Sequence, residues 1–206
     1  MHSRILPADD RGLSIGFPEI AAAVRAVRTL NPDTLFLDAG DTLHGMPDIN
    51  ISRGENMVKL MNTLGYDAMA PGNHDYNYGS ERLQELSKEL HFPVLSANVV
   101  DRKTGKPLFA ASKTFVLDGV RIAVFGLTTP ETAYKAAPQG VKDVKFIDAI
   151  DAAKKMVRQL RKNNDVVIAL AHIGLDKSSV VTSDQLAAEV PGIDIIIDGH
   201  SHTELP

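Results

Sequence analysis

Four short motifs in this sequence carry side chains that bind metal ions, and each motif directly follows an apolar stretch. They are Gly40-Asp41, Gly72-Asn73-His74-Asp75, Ala171-His172 and Gly199-His200-Ser201-His202. A single histidine beyond a strand is usually a polar surface residue, so the prediction depends on the convergence of several motifs. Because strand ends deliver side chains to one rim of a sheet, we expect these residues to lie close together.

The ligand types in these motifs indicate which ions and which chemistry to expect. A mixture of carboxylate, amide oxygen and imidazole ligands suits Mn²⁺, Zn²⁺ or Fe rather than Ca²⁺ or a thiolate-bound metal. A carboxylate such as Asp41 can bridge two ions that lie roughly 3.5–4 Å apart. Such a pair holds a hydroxide and clamps a phosphoryl oxygen for in-line attack. The motifs therefore predict a hydrolytic centre with two divalent metal ions.

Composition and charge exclude several other classes of function. The chain has no cysteine, which excludes disulfides, zinc–thiolate sites and thiol nucleophiles. Its net charge is −4, without a long basic run, which argues against a nucleic-acid polymer as partner. No apolar run approaches the roughly 18 residues of a membrane span, and no signal peptide is recognisable. The 206 residues suffice for one large domain with a full core.

Alternating helix and strand patterns surround the motifs. Apolar periodicity predicts helices over residues 18–30, 55–64, 80–90, 148–161 and 184–190. Short apolar runs predict strands over residues 34–39, 67–70, 93–97, 115–117, 120–127, 166–171 and 194–198. Asp118-Gly119 predicts a hairpin turn, and the polar segments 101–113 and 128–143 are assigned to loops. The pattern indicates an α/β domain with a mixed sheet or two sheets.

The ordered set of motifs resembles the calcineurin-like metallophosphoesterases, most closely their 5′-nucleotidase branch. The resemblance covers the whole chain, as one catalytic domain of residues 1–206. It implies a four-layer α-β-β-α sandwich with mixed sheets and with the metal ions at one rim. It also implies the reaction, which is hydrolysis of a nucleoside 5′-monophosphate to nucleoside and phosphate.

The resemblance implies a role for each motif residue. Asp41 would bridge both ions. The other ligands would be His2 and His202 for the first ion, and Asn73, His172 and His200 for the second. His74 is not a ligand in this family; it would sit over the phosphate, where an imidazole stabilises charge or protonates the leaving oxygen.

The N-terminus departs from the family pattern, which opens with Asp-x-His on a first strand. This sequence opens Met1-His2-Ser3, so the implied aspartate and first strand would precede it. Arg11-Gly12 and the helix after it follow at the family's spacing, which favours His2 as a ligand over a terminal residue without a role. We therefore expect a first strand, and a C-terminal nucleotide-specificity domain, that this sequence does not include.

Several acidic residues are expected to support the ligands through hydrogen bonds. Asp75 directly follows His74 and is assigned such a structural role. Asp38 and Asp198 end buried strands, so we expect them to hydrogen-bond to ligand histidines or to loop amides.

Asn77 is a second departure from the family pattern, because many 5′-nucleotidases carry an aspartate there that orients the histidine. An asparagine can still accept a hydrogen bond, but it stabilises an imidazolium less well than a carboxylate does. Some cyclic-nucleotide phosphodiesterase relatives look like this sequence at that position. His44 lies on the loop after Asp41 and either contacts substrate or lies at the rim. The other substrate-binding residues are not identified.

Two alternatives to a 5′-nucleotidase remain open. A 2′,3′-cyclic nucleotide phosphodiesterase or a nucleotide-sugar diphosphatase would use the same centre, and Asn77 favours this reading. A non-catalytic metal-binding fragment is the second, because the implied aspartate is absent. For the enzyme we expect a small-molecule nucleotide or phosphate ester as substrate, and neither a nucleic-acid polymer as partner nor a membrane span. The resemblance further implies a periplasmic or extracellular location.

Overall fold

The computed structural model describes residues 2–6 and 15–204, so Arg11-Gly12 lies outside the described residues. The helices are α1 (Phe17–Leu30), α2 (Pro47–Ile51), α3 (Glu55–Leu64), α4 (Ser80–Glu89), α5 (Thr132–Lys135), α6 (Pro138–Val141), α7 (Ala149–Leu160) and α8 (Ser183–Glu189). The strands are β1 (Leu37–Asp38), β2 (Ala68–Met69), β3 (Val99–Asp101), β4 (Ser112–Leu117), β5 (Val120–Thr128), β6 (Val144–Phe146), β7 (Val166–His172) and β8 (Ile195–Ile197). Among the described helices, none has the length and apolar character needed to cross a membrane.

The main sheet is mixed and has the strand order β4-β5-β7-β8. Strands β4 and β5 form an antiparallel hairpin, whereas β5, β7 and β8 run parallel to one another. The predicted hairpin turn is confirmed, since Asp118 and Gly119 both adopt positive φ, at 46° and 79°. Two further pairs complete the sheets: β1 with β2, parallel, and β3 with β6, antiparallel. The predicted α/β class with mixed sheets is confirmed.

Alternating side chains of the central strands hold the layers together. Phe125 of β5 and Ala169 of β7 pack with the apolar face of α7 and with α8. Their neighbours Val124 and Ile168 point the other way and pack against the residues of β1 and β2. Helices α3 and α4 pack on the far side of β2, through a cluster that includes Met69. The order is therefore helices, sheet, sheet, helices.

The prediction of a strand over residues 93–97 is wrong. This segment forms only isolated bridges, from Val94 to Met69 and from Leu95 to Ala110. The backbone N–H groups that follow bond in turn to Ala110 and Gly126, so no single partner strand extends the ladder. Pro93 supplies no N–H at the start of the segment.

The predictions of structureless loops at 101–113 and 128–143 are also partly wrong. The first contains the start of β4, and the second contains α5 and α6. The pairing of β3 with β6 was not predicted either. Helices α5 and α6 have four residues each, β3 and β6 have three each, and only two residues of β4 lie within 101–113, so all are too short for a periodic pattern.

Candidate metal centre

The predicted ligands come together at one edge of the molecule, beyond the carboxyl ends of four strands. Asp41 follows β1, Asn73 follows β2, His172 ends β7 and His200 follows β8. Strand β1 runs parallel to β2 and β7 runs parallel to β8, so each pair releases its chains at one edge, and a hydrogen bond between His172 and the carbonyl oxygen of Ala39 joins the two edges. Two groups of side chains result, with ligand atoms within 4.8 Å of one another: His2, Asp41 and His74 in one, and Asp41, His172 and His200 in the other.

Asp41 is the residue that belongs to both groups. Its side chain is buried, with 4% of the residue exposed. One carboxylate oxygen, Oδ2, lies 3.1 Å from Nε2 of His172 and 3.8 Å from Nε2 of His2. The other oxygen, Oδ1, accepts the backbone N–H of His74 at 2.8 Å. A single buried carboxylate between two groups of imidazoles has the geometry needed to bridge two ions.

His172 is oriented by a hydrogen bond on the side away from the centre. Its Nδ1–H donates to the carbonyl oxygen of Ala39 at 2.6 Å, which leaves Nε2 facing Asp41. The Nε2 atom also lies 3.3 Å from Oδ1 of Asn73. Burial lowers the pKa of His172, but the hydrogen bond and charge of Asp41 outweigh burial and raise the pKa overall. A proton therefore competes with a metal ion for this nitrogen.

Asn73 offers its amide oxygen to the centre because its nitrogen is already used. The side-chain N–H donates to the carbonyl oxygen of Lys135 at 3.4 Å, and a carbonyl can only accept. The orientation of the amide therefore follows from the backbone beside it, and Oδ1 is left as the possible ligand atom.

His2 and His200 are held in the neutral form that binds metals. Burial is the main cause that lowers the pKa of His2 and of His200 from 6.5 to about 4. The Nε2 atoms of His2 and His202 lie 3.0 Å apart, so both rings point to one place beside Asp41. Both His2 and His200 therefore present a free lone pair at neutral pH, as metal binding requires.

Four of the six predicted ligands have a strained backbone. Positive φ occurs at His2 (47°), Asp41 (58°), His200 (83°) and His202 (52°). For residues other than glycine this region costs about 1–3 kcal/mol each and persists only where surrounding contacts enforce it. The donor set, its burial and this concentration of strain together fit a site built to hold divalent ions.

Asp75 enforces the conformation of the loop that carries Asp41. One oxygen of its buried carboxylate accepts the backbone N–H groups of Asp41 and Gly72, each at 2.8 Å. The other oxygen accepts those of Thr42 at 3.1 Å and Leu43 at 2.8 Å. Four N–H donors on one carboxylate tie the loop after β1 to the loop after β2.

Close packing behind the centre requires a glycine at position 72. A Cβ atom on Gly72 would lie 2.2 Å from Oδ1 of Asp41 and 2.6 Å from Cε1 of His172. Any side chain there would displace both of these residues.

Asp38 and Asp198 accept hydrogen bonds from backbone amides of the loops, which was one of the two predicted alternatives. Asp198 accepts the backbone N–H groups of Ile173, Gly174 and Gly199 at 2.8–2.9 Å. Asp38 accepts the N–H of Gly40 at 2.9 Å and the hydroxyl of Thr42 at 2.8 Å. These carboxylates shape the loops that carry the ligands.

His74 lies next to His2 and His44. The ring centroids of His74 and His2 are 5.0 Å apart, and the ring stacks over His44 at 5.8 Å. Asn77 places its amide nitrogen 3.0 Å from Nδ1 of His74. His44 lies at the rim beside Tyr78, and His91 is exposed on the surface away from these groups.

Sequence reasoning missed an ion pair at the edge of the centre, within the segment assigned to a loop. Glu131 is buried and accepts a hydrogen bond from Nζ of Lys135 at 2.8 Å. That Nζ atom lies 3.4 Å from Nε2 of His200. Lys135 lines a cavity of about 290 Å³ together with the residues of both groups other than His172, and it is the one lysine or arginine among the described lining residues. The i,i+4 spacing of Glu131 and Lys135 was the available signal.

An elongated groove leads to the centre between β1 and β8. It has a volume of about 800 Å³ and is lined partly by the apolar side chains of Phe36, Leu37, Tyr66 and Ile196. In the described part of the chain, β1 pairs only with β2 and β8 only with β7. Each of these strands therefore has one edge without a strand partner among the described residues, and the groove runs past His2 and His202.

Comparison with known proteins decides the family. The model of the calcineurin-like phosphoesterase family matches residues 12–204. The chain belongs to this family. It is 36% identical over 176 residues to a 5′-nucleotidase of Vibrio cholerae, covering 81% of this chain and 32% of that protein. It is 35% identical over 196 residues to a 5′-nucleotidase of Mus musculus, covering 92% of this chain and 33% of that protein.

A solved structure gives the same result for the fold. The crystal structure of a 5′-nucleotidase precursor from Thermus thermophilus superposes with a TM-score of 0.80 at 35% identity, over 93% of this chain and 37% of that one. The layer order described above is thus the sandwich that the family resemblance implied. The chain spans about a third of the length of the curated relatives it matches.

Proposed function

We propose that this chain is the catalytic domain of a phosphoesterase that uses two divalent metal ions to hydrolyse nucleoside 5′-monophosphates. The observation that carries the proposal is the buried carboxylate of Asp41, which belongs to both groups of ligand atoms. Membership of the calcineurin-like phosphoesterase family supports the reaction class. The 5′-nucleotidase relatives support a nucleotide as substrate.

The ligand assignment follows the family resemblance, although His74 rather than His202 completes the group of ligand atoms around His2 and Asp41. Asp41 would bridge two ions of Mn²⁺, Zn²⁺ or Fe. The other ligands would be His2 and His202 on one side, and Asn73, His172 and His200 on the other. When bound, the ions supply Lewis acidity toward the phosphoryl group and lower the pKa of a water molecule.

The remaining residues of the centre would act on the substrate. Lys135 would neutralise a phosphate oxygen, because its ammonium group lines the same cavity as the ligands. His74 would contact the phosphate through Nε2, since its Nδ1 faces Asn77. The loop held by Asp75 would keep Asp41 in place throughout the reaction.

Relatives about three times as long as this chain support a further domain in the whole protein, which would bind the nucleoside. The groove between β1 and β8 supports the expected first strand, whose aspartate would join His2 and His202. The family resemblance is also the basis for a proposed periplasmic or extracellular location.

A second candidate function is hydrolysis of 2′,3′-cyclic nucleotides or nucleotide sugars, and Asn77 is the observation that favours it. A non-catalytic metal-binding fragment is the third. The experiment that separates them loads the purified chain with Mn²⁺ or Zn²⁺ and measures phosphate release from AMP. It measures diester cleavage of 2′,3′-cyclic AMP and a nucleotide sugar in parallel. Activity on the diesters but not on AMP would overturn the first proposal, and no hydrolysis would favour the third.

A pair of histidine variants tests the role of His74. His74→Asn should abolish turnover while metal binding is retained, because the proposal assigns His74 to the substrate and not to a metal ion. His91→Asn is the matched control, since His91 is exposed and remote, and should leave both properties unchanged. Loss of metal in His74→Asn would contradict the assignment.

A further inference from the structure

The side chain of Asn77 has only one possible orientation. Its Oδ1 accepts the backbone N–H of Ala137 at 3.0 Å, and a backbone N–H can only donate. The nitrogen Nδ2 must therefore occupy the other position, where it lies 3.0 Å from Nδ1 of His74 and 3.4 Å from Nδ1 of His44. Both amide hydrogens thus face imidazole nitrogens.

This orientation fixes which nitrogen of His74 carries the proton. The amide group of Asn77 is a donor, so it forms a hydrogen bond only with an Nδ1 that has a lone pair. A neutral imidazole with a bare Nδ1 carries its hydrogen on Nε2. The alternative forms, with hydrogen on Nδ1, would set two N–H groups against each other at 3.0 Å.

We propose that Asn77 is a positioning residue that holds His74 as the neutral Nε2–H tautomer, so that His74 serves as a hydrogen-bond donor to the phosphate. The inference rests on the proposed function for its chemical consequence, but the tautomer follows from the geometry alone. An aspartate at position 77 would do the opposite, because it accepts from Nδ1–H.

The consequence concerns the leaving group. A neutral imidazole that gave up its Nε2 hydrogen would become an imidazolate anion. Imidazolate is itself a strong base, so the transfer of this proton to an alkoxide leaving group would gain little free energy. His74 therefore stabilises charge on the leaving or phosphoryl oxygen without transferring a proton, and water supplies the proton to the departing oxygen. Hydrolysis of an alkyl ester such as a nucleoside 5′-monophosphate should therefore be slower than hydrolysis of an ester whose leaving group is weakly basic, such as a phenol.

The first test measures the tautomer by ¹⁵N NMR of the zinc-loaded chain, with the His74 signals assigned by their loss in His74→Gln. We expect the hydrogen on Nε2 in the wild type. The variant Asn77→Asp keeps an acceptor for the N–H of Ala137 but replaces the amide donor with a carboxylate acceptor. In that variant we expect the hydrogen of the His74 ring on Nδ1. Hydrogen on Nδ1 in the wild type would overturn the proposal, even if Asn77→Asp failed to fold.

The second test compares hydrolysis rates for a nitrophenyl ester and an alkyl ester of phosphate. General acid catalysis contributes roughly 10²–10⁴-fold, mostly with basic leaving groups. We therefore expect the nitrophenyl-to-alkyl rate ratio to be at least about 10-fold larger in the wild type than in Asn77→Asp. Asn56→Asp, an exposed position on α3, controls for the added charge and should keep the wild-type ratio.

Failure of the proposal for Asn77 and failure of the proposed function give different experimental results. An unchanged ratio in Asn77→Asp would overturn the proposal for Asn77. Absence of any hydrolysis by the wild type would overturn the proposed function, while the NMR result would still decide the tautomer.

Discussion

Replacement of Asp75 by asparagine should destabilise the protein strongly, although the two side chains have the same shape. Each carboxylate oxygen of Asp75 accepts two backbone N–H groups. In Asp75→Asn one of those oxygens becomes an NH₂ group, which is itself a donor. Whichever way the amide turns, two buried N–H groups lose their acceptor and face another donor.

The magnitude follows from that count. A buried donor left without an acceptor costs about 1–3 kcal/mol, so two of them cost about 2–6 kcal/mol. That is a large part of the roughly 5–15 kcal/mol that stabilises a typical domain. The same change frees the loop that carries Asp41, so we expect metal affinity to fall as well.

The assay is denaturant unfolding of the chelator-treated protein. Burial and the charge of Asp41 raise the pKa of Asp75 to about 7, so the comparison is made at pH 8, where the carboxylate predominates. Asp101→Asn is the matched control, since Asp101 also accepts two backbone N–H groups, from Lys103 and Thr104, but in an exposed turn. We expect that control to lie within about 0.5 kcal/mol of wild type. A loss below about 1 kcal/mol in Asp75→Asn would refute the reasoning.

Three further predictions concern the centre itself. Gly72→Ala should lower metal occupancy measured by elemental analysis, because the added Cβ would lie 2.2 Å from Oδ1 of Asp41; full occupancy would show that the loop can move aside. Lys135→Met should raise KM for a phosphate ester by about 10-fold, with partial recovery in Lys135→Arg, and an unchanged KM would exclude a phosphate contact. The pKa of His2 and of His200 is lowered to about 4 in the folded chain, so the unfolded chain binds protons that the folded chain does not. Without metal, the contribution of these two histidines to the free energy of unfolding should therefore fall as the pH drops from about 6.5 to about 4, whereas the raised pKa of Asp75 acts in the opposite direction over the same range. The double variant His2→Gln/His200→Gln isolates the histidine contribution, and a pH profile identical to that of the wild type in denaturant titrations would contradict the lowered values.

Elements with a clear apolar pattern could be predicted from the sequence. Helix α3 spans the predicted residues, because its apolar positions recur on one face and Gly65 ends it in the left-handed conformation. The prediction of strand β7 is correct to within one residue, because a continuous apolar run that is buried on both faces is typical of a central strand. The convergence of Asp41, His172 and His200 followed from the direction in which parallel strands end.

Features that depend on distant backbone groups could not be predicted. The orientation of Asn77 is set by the N–H of Ala137, sixty positions along the chain. The sequence suggested that Asn77 could accept a hydrogen bond from His74, whereas the structure leaves it only a donor for that ring. The short pair β3 and β6 likewise forms by tertiary contact, without a periodic signal.

The central claim is a two-metal centre bridged by Asp41. It is tested most directly by the metal content of the Mn²⁺-loaded chain, compared with Asp41→Asn, which keeps the side-chain shape but removes the charge. The account predicts two ions per chain in the wild type and loss of both in the variant. A wild type that binds no ion, or a variant that retains two, would contradict it.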